Sequence, residues 1–145
     1  MNDLKLRNFT IGNSQPLILM GGMNVLESRD LVLQVAEKFK LISDKLEINY
    51  IFKGSFDKAN RSSASSFRGP GMDEGLKLLQ EVSTEFNVPV VTDIHEPDQA
   101  KPVSEICEVV QIPAFLARQT DLVVAAAKTN AILQFKKPQF LSAPE

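Results

Sequence analysis

Residues 48–86 read INYIFKGSFDKANRSSASSFRGPGMDEGLKLLQEVSTEF, and three textures follow one another along them. Ile48 to Phe52 is a short apolar run that reads as a strand. Residues 53–68 then gather Lys53, Lys58, Arg61 and Arg68 around a single Asp57, interleaved with Ser55, Asn60, Ser62, Ser63, Ser65 and Ser66. Gly69-Pro70-Gly71 closes that loop, and Met72 to Phe86 has helical apolar spacing through Leu76, Leu79 and Val82. The unit is strand, cationic loop, helix, with the cations at the end of the strand. Arginine offers forked donors to phosphate oxygens, lysine a point charge, and hydroxyls and an amide fill remaining acceptors. A small anion such as a phosphate ester suits that loop; the plain alternative is a solvated loop that keeps the protein soluble. The whole chain has a net charge of -2, so the cations are local.

The same alternation extends both ways. Leu17 to Met20 reads as a buried strand ending at Gly21-Gly22. Ser28 caps an expected helix from Arg29 to Leu46, with Leu31, Val35, Phe39 and Ile42 on one face. After Asn87, Val88–Val91 and Val109–Ile112 read as strands, with a short helix from Pro97 to about Ile106 between them. A helix capped by Thr120 spans Thr120 to Lys128, and Ala131 to Phe135 is the last strand. Leu4 to Ile11 reads as a hairpin before the first repeat. Such alternation means βαβ units and a parallel sheet, either doubly wound or a (β/α)8 barrel. No glycine-rich dinucleotide or P-loop fingerprint follows a strand. A barrel has about 250 residues, so a chain of 145 residues with five strands and no closing helix is expected to be half of one.

Composition narrows the classes. With 43% hydrophobic residues the chain can bury a core as one domain, residues 1–145. A mean hydropathy of -0.07 and the lack of a long apolar run argue against a membrane span, and the N-terminus lacks signal-peptide character. The single cysteine, Cys107, can form no internal disulfide, and a cytoplasmic location is expected. No basic stripe alternates with aromatics, so no nucleic-acid partner is expected.

Parallel α/β folds place chemistry at the carboxyl ends of strands. Those ends carry Asn24, Lys53, Asp93 with His95, Gln111, and Lys136 with Lys137, all aimed at one mouth. Clustered lysines favour an anion that relieves their mutual repulsion. Taken singly, Asp93 reads equally as a turn residue, Gln111 as a partner for buried backbone, and Lys136 as a snorkelling surface lysine. Asp93, His95 and Glu96 invite a metal reading, but three ligands from one loop are a thin set and no metal is expected. Cys107 reads as a small apolar residue packed near a helix end.

These residues also carry a resemblance. LILMGGMNVLES, FKGSFDKANRSSASSFRGPG, VTDIHEP, QIPAFLARQTDL and QFKKPQF, in order over essentially the whole chain, resemble the 3-deoxy-D-manno-octulosonate 8-phosphate synthases. The related 3-deoxy-heptulosonate 7-phosphate synthases carry a K-P-R-T-S type of loop where this chain has K-A-N-R-S-S. Gly54 stands where the family pattern has alanine. The resemblance implies a TIM (β/α)8 barrel of nearly twice this length, of which this chain holds the hairpin and strands one to five. It implies condensation of phosphoenolpyruvate with arabinose 5-phosphate and water, with release of phosphate, in lipopolysaccharide sugar biosynthesis. Lys53, Ser55, Lys58, Gln111, Ala114 and Lys136 would then serve the phosphoenolpyruvate end, and Asn60, Arg61 and Ser62 the sugar phosphate. Asp93 and Phe115 would line the space between the substrates, and Arg118 would reach a neighbouring subunit's site in a homotetramer. Lys136, Lys58, Asn24 and Asp93 form the implied catalytic set. The metal-requiring class has a cysteine after the first strand; Asn24 stands there, implying a metal-independent enzyme without cofactor. Two other readings stand beside this one: the seven-carbon sugar synthase, and an inactive anion-binding half-barrel.

Overall fold

In the computed structural model, residues 3–142 and residue 144 are described. Strands β1 (Leu4–Leu6) and β2 (Phe9–Ile11) form an antiparallel hairpin. Then β3 (Ile18–Met23), α1 (Arg29–Lys45), β4 (Asn49–Gly54), α2 (Met72–Phe86) and β5 (Val90–Asp93) follow. The remainder is α3 (Ala100–Ile106), β6 (Val109–Ile112), α4 (Thr120–Ala127) and β7 (Ile132–Phe135). One-turn 3-10 segments, Pro97–Gln99 and Ala114–Leu116, precede α3 and follow β6.

The five later strands pair in parallel in the order β3-β4-β5-β6-β7. Sequence and space run together, without the reversal of strand order that defines a doubly wound sheet. Helices therefore fall on one face only. Val32 and Ala36 of α1, Leu79 and Val82 of α2, Val103 of α3 and Leu122 of α4 share one core cluster with Phe52, Val90, Val110 and Ile112. The opposite face buries Ile51, Val91 and Val109 against Leu6, with Phe9, Ile11 and Ile132 packed beside them. The hairpin thus plugs the amino-terminal end of the sheet's inner face. Helices outside, side chains inside and strands in sequential order define part of a TIM (β/α)8 barrel.

Arg7, in the hairpin turn at φ 49°, ties this plug down. Its guanidinium donates to Glu108 Oε1 (2.5 Å) and Ser83 Oγ (2.5 Å), while Glu108 Oε2 accepts the Val90 N–H (3.1 Å).

Several sequence expectations need correction. The first strand does not end at Gly21-Gly22 but runs through both to Met23. A Cβ on Gly21 would sit 2.6 Å from the Phe39 ring, and one on Gly22 (φ +152°) would collide with the Lys53 carbonyl oxygen. The pair is there for close approach to α1 and β4, not for a turn. The buried side of α1 centres on Val32, Ala36 and Ser43, whereas Leu31 and Ile42 are exposed. Thr120 is the first helical residue of α4; Gln119 is the N-cap and makes no side-chain capping bond. Other expectations hold closely: Ser28 accepts the Leu31 N–H at 3.3 Å, and Asn87 ends α2 in the left-handed conformation. Leu26 packs where an alanine methyl at position 54 would lie. No helix of the described residues is long and apolar enough to cross a membrane.

Candidate active site

The inner face changes character along the barrel axis. Alternate residues of a strand share a face, so the apolar layer of Ile51, Val91 and Val109 is followed, two residues on, by Lys53, Asp93 and Gln111. The register carries this across strands, pairing Gly22 with Lys53 and Asp93 with Gln111. Lys136 follows β7 directly and is held by its N–H to the Ile112 carbonyl at 3.1 Å.

Asp93 is the hub. Its side chain is 6% exposed; Oδ1 accepts from Ser55 Oγ at 2.5 Å and from Lys53 Nζ at 3.2 Å. Oδ2 lies 3.3 Å from His95 Nε2 and 3.9 Å from Lys58 Nζ. The Ser55 hydroxyl also stands 3.1 Å from the Asp57 carbonyl, but its one proton goes to the carboxylate, the shorter and charge-assisted bond. Burial pushes the Asp93 carboxyl up. The hydrogen bond to His95, the Lys53 charge, the Ser55 hydrogen bond and the Lys58 charge outweigh it and hold the group well below the usual carboxylate range. The Lys58 ammonium is also held below its ordinary value: burial lowers it most, Asp93 opposes, and Lys53, Lys136 and Arg61 lower it further. One carboxylate is thus outnumbered by Lys53, Lys58 and Lys136, and an anion would relieve their repulsion.

Two adjoining cavities open here. One, of about 380 Å³, is lined by Lys58, Asn60, Asp93, His95, Gln111, Ala114, Phe115 and Lys136, among others. The second, of about 240 Å³, is lined by Asn24, Lys53, Lys58, Gln111 and Lys136 beside Gly21 and Gly22. Most expected site residues therefore converge at one mouth. Four do not line it. Ser55 is fully buried beneath and supports Asp93. Arg61 and Ser62 are exposed near the loop tip, with Arg61 Nε donating to the Phe67 carbonyl at 3.1 Å. Arg118 is exposed beyond the Ala114–Leu116 turn.

Of the four cations that the sequence gathers around Asp57, Arg68 is the one that pairs with it. It forms a two-point ion pair with Asp57, Nε to Oδ1 at 2.8 Å and a terminal nitrogen to Oδ2 at 2.5 Å. The sequence reading left His95 without a role beyond a thin metal set. It lines the larger cavity, with its ring edge-on to Phe56 at 6.1 Å and Nδ1 buried without a partner among the described residues. The two-residue spacing of Asp93 and His95 was the signal for it, although β5 ends at Asp93 and His95 lies just beyond it. Among the described residues, no three His, Cys, Asp or Glu side chains converge as a metal set. Cys107 is buried and its thiol is pushed up to about 12 by burial first, in keeping with a packing role.

Comparison with known proteins agrees with the motifs. The chain is 58% identical over 145 residues to the 2-dehydro-3-deoxyphosphooctonate aldolase of Colwellia psychrerythraea, covering 100% of this chain and 52% of that protein. It is 58% identical over 142 residues to the proteins of the same name from Pseudomonas putida (strain GB-1) and Pseudoalteromonas translucida, covering 98% of this chain and 50% of each. The chain spans about half the length of these curated relatives. Residues 3–145 match the DAHP synthetase I family, and this chain belongs to that family.

Proposed function

We propose that residues 1–145 are the amino-terminal half of a single (β/α)8 barrel domain. The complete barrel condenses phosphoenolpyruvate with D-arabinose 5-phosphate and water, giving 3-deoxy-D-manno-octulosonate 8-phosphate and inorganic phosphate. The observation that carries this reading is the excess of lysine over one depressed carboxylate, Asp93, at the carboxyl ends of the strands. The name shared by relatives at 58% identity supports it. In this reading the enzyme is a cytoplasmic, homo-oligomeric transferase of lipopolysaccharide sugar biosynthesis that needs no metal or cofactor.

The enol carbon attacks the sugar aldehyde, water adds to the neighbouring carbon, and phosphate departs. Two polyanions must be held in register while charge develops on the aldehyde oxygen. Lys53, Lys58, Gln111, Ala114 and Lys136 hold phosphoenolpyruvate, with Ser55 acting from beneath through Asp93. Asn60, Arg61 and Ser62 take the sugar phosphate, Phe115 walls the space between the substrates, and Asn24 hydrogen-bonds substrate. Arg118, exposed beyond the mouth, extends to a neighbouring subunit. Asp93 orients Lys53 and Lys58.

Assay of the complete barrel with arabinose 5-phosphate and erythrose 4-phosphate in parallel tests this. Turnover with the five-carbon sugar alone is expected. Preference for erythrose 4-phosphate would make it a seven-carbon sugar synthase. The exposure of Leu17 (76%) and Ile42 (54%) favours a second reading for the 145-residue chain by itself, an inactive half-barrel that binds anions. A folded chain that binds phosphate but turns over neither sugar is the expected result for it.

A further inference from the structure

The cationic loop is closed at its neck by contacts that the function above does not use. On one side stand Phe56, Asp57 and Lys58, and on the other Arg68, Gly69 and Gly71. The Lys58 N–H donates to the Arg68 carbonyl at 2.6 Å, and the Gly71 N–H donates to the Phe56 carbonyl at 3.1 Å. Gly69 (φ +126°) lies so near the Phe56 carbonyl that a Cβ there would overlap it. The Arg68–Asp57 fork lies across this backbone closure. Beyond the neck, residues 59–67 are held by less: Arg61 to the Phe67 carbonyl, Ser66 N–H to the Ser63 carbonyl, and the Ser63–Ser65 hydroxyl pair.

We propose that Asp57 and Arg68 are positioning residues, a latch that pre-orders the 59–67 tip so that it binds a sugar phosphate without first paying to close. This rests on the proposed function, which assigns Asn60, Arg61 and Ser62 to that phosphate. The fork suits such a role because it fixes both distance and plane between the loop's two ends, which a lysine contact would not do. It also adjoins the Asp93 hub, since the Ser55 hydroxyl that donates to the Asp93 carboxylate stands 3.1 Å from the Asp57 carbonyl. The base of the loop, with Lys53 and Lys58, is anchored through Asp93, so loss of the latch should loosen the tip and spare the base. Ordering a loop before binding improves affinity by removing an entropic cost.

The test compares Arg68→Met, Asp57→Asn and the swapped pair Asp57→Arg/Arg68→Asp in the complete barrel. Titrations with arabinose 5-phosphate and with phosphoenolpyruvate are paired with hydrogen exchange of residues 59–67 in the free protein. Each single variant is expected to weaken arabinose 5-phosphate by about tenfold, change phosphoenolpyruvate by less than about twofold, and speed exchange at the tip. The swap should restore both readouts. If the single variants weaken the sugar phosphate and the swap does not rescue it, Arg68 touches the phosphate itself and the latch is overturned. Equal weakening of both ligands with a lowered melting temperature overturns it in favour of a folding role. If the unmodified protein binds neither ligand, the proposed function fails. The latch is then judged by exchange alone: speeding in the single variants with recovery in the swap supports it, and unchanged exchange overturns it.

Discussion

Lys53 on β4 and Asp93 at the end of β5 meet at 3.2 Å, Nζ to Oδ1, just above the apolar layer of Ile51 and Val91. The lysine side chain is 21% exposed and the carboxylate 6%. A buried ion pair adds little net stability by itself, but removing one partner strands the other. Its value here is positional, because the carboxylate draws two lysines to the mouth, where an anion must arrive.

The pH dependence of stability should report this carboxylate. The folded-state value of Asp93 lies below its unfolded value, so its contribution is fully present above the ordinary carboxylate range, near pH 4. It is lost as pH falls through the depressed value. Asp93→Asn should flatten the acid limb of a melting-temperature profile below about pH 4. It should also weaken phosphoenolpyruvate binding, since Lys53 and Lys58 would lose the carboxylate that orients them. An acid limb identical to that of the unmodified protein would remove Asp93 from the hub.

Gly22→Ala tests the close approach of β3 and β4. A methyl there meets the Lys53 carbonyl oxygen, a backbone atom that cannot swing aside, at a φ of +152°. Strain and overpacking together should cost about 3 kcal/mol, read as a lower denaturation midpoint. A midpoint unchanged within about 0.5 kcal/mol would mean that the strands can separate freely there.

Lys136→Ala in the complete barrel should cripple turnover more than folding. Lys136 borders both cavities, and loss of a charge-assisted contact to a bound anion costs about 1.5 to 3 kcal/mol. The cost rises if the contact strengthens in the transition state. Near-normal activity at saturating substrate would reassign Lys136 to the solvated rim.

Chelation addresses the metal. Asn24 lines the smaller cavity at the end of β3, and a neutral amide is a poor ligand for a soft divalent ion where a thiolate is a strong one. Activity of the complete barrel should survive treatment with EDTA. Activity that disappears and returns with added divalent metal would refute metal independence. Asn24→Cys in the complete barrel is the converse experiment, expected to let a divalent metal bind, measurable by metal analysis, where the other half of the barrel supplies the remaining ligands.

The sequence by itself determined the element types, because periodicity of burial is a local property. The apolar runs, the spacing of Leu76, Leu79 and Val82, and the left-handed Asn87 at the end of α2 are all legible one residue after another. Its motifs also specified the family. Three things needed the tertiary structure. Strand order separated a barrel from a doubly wound sheet, and order depends on which edges pair, not on how any strand is composed. The role of Gly21 and Gly22 depended on Phe39 and the Lys53 carbonyl, which approach from other elements. The division of labour among the cations was the last. Lys53, Lys58, Arg61 and Arg68 look alike along the chain, yet Asp93 draws in the first two, the Phe67 carbonyl holds the third and Asp57 binds the fourth. A charge has no function until its neighbours are fixed, since distance and burial set its energy.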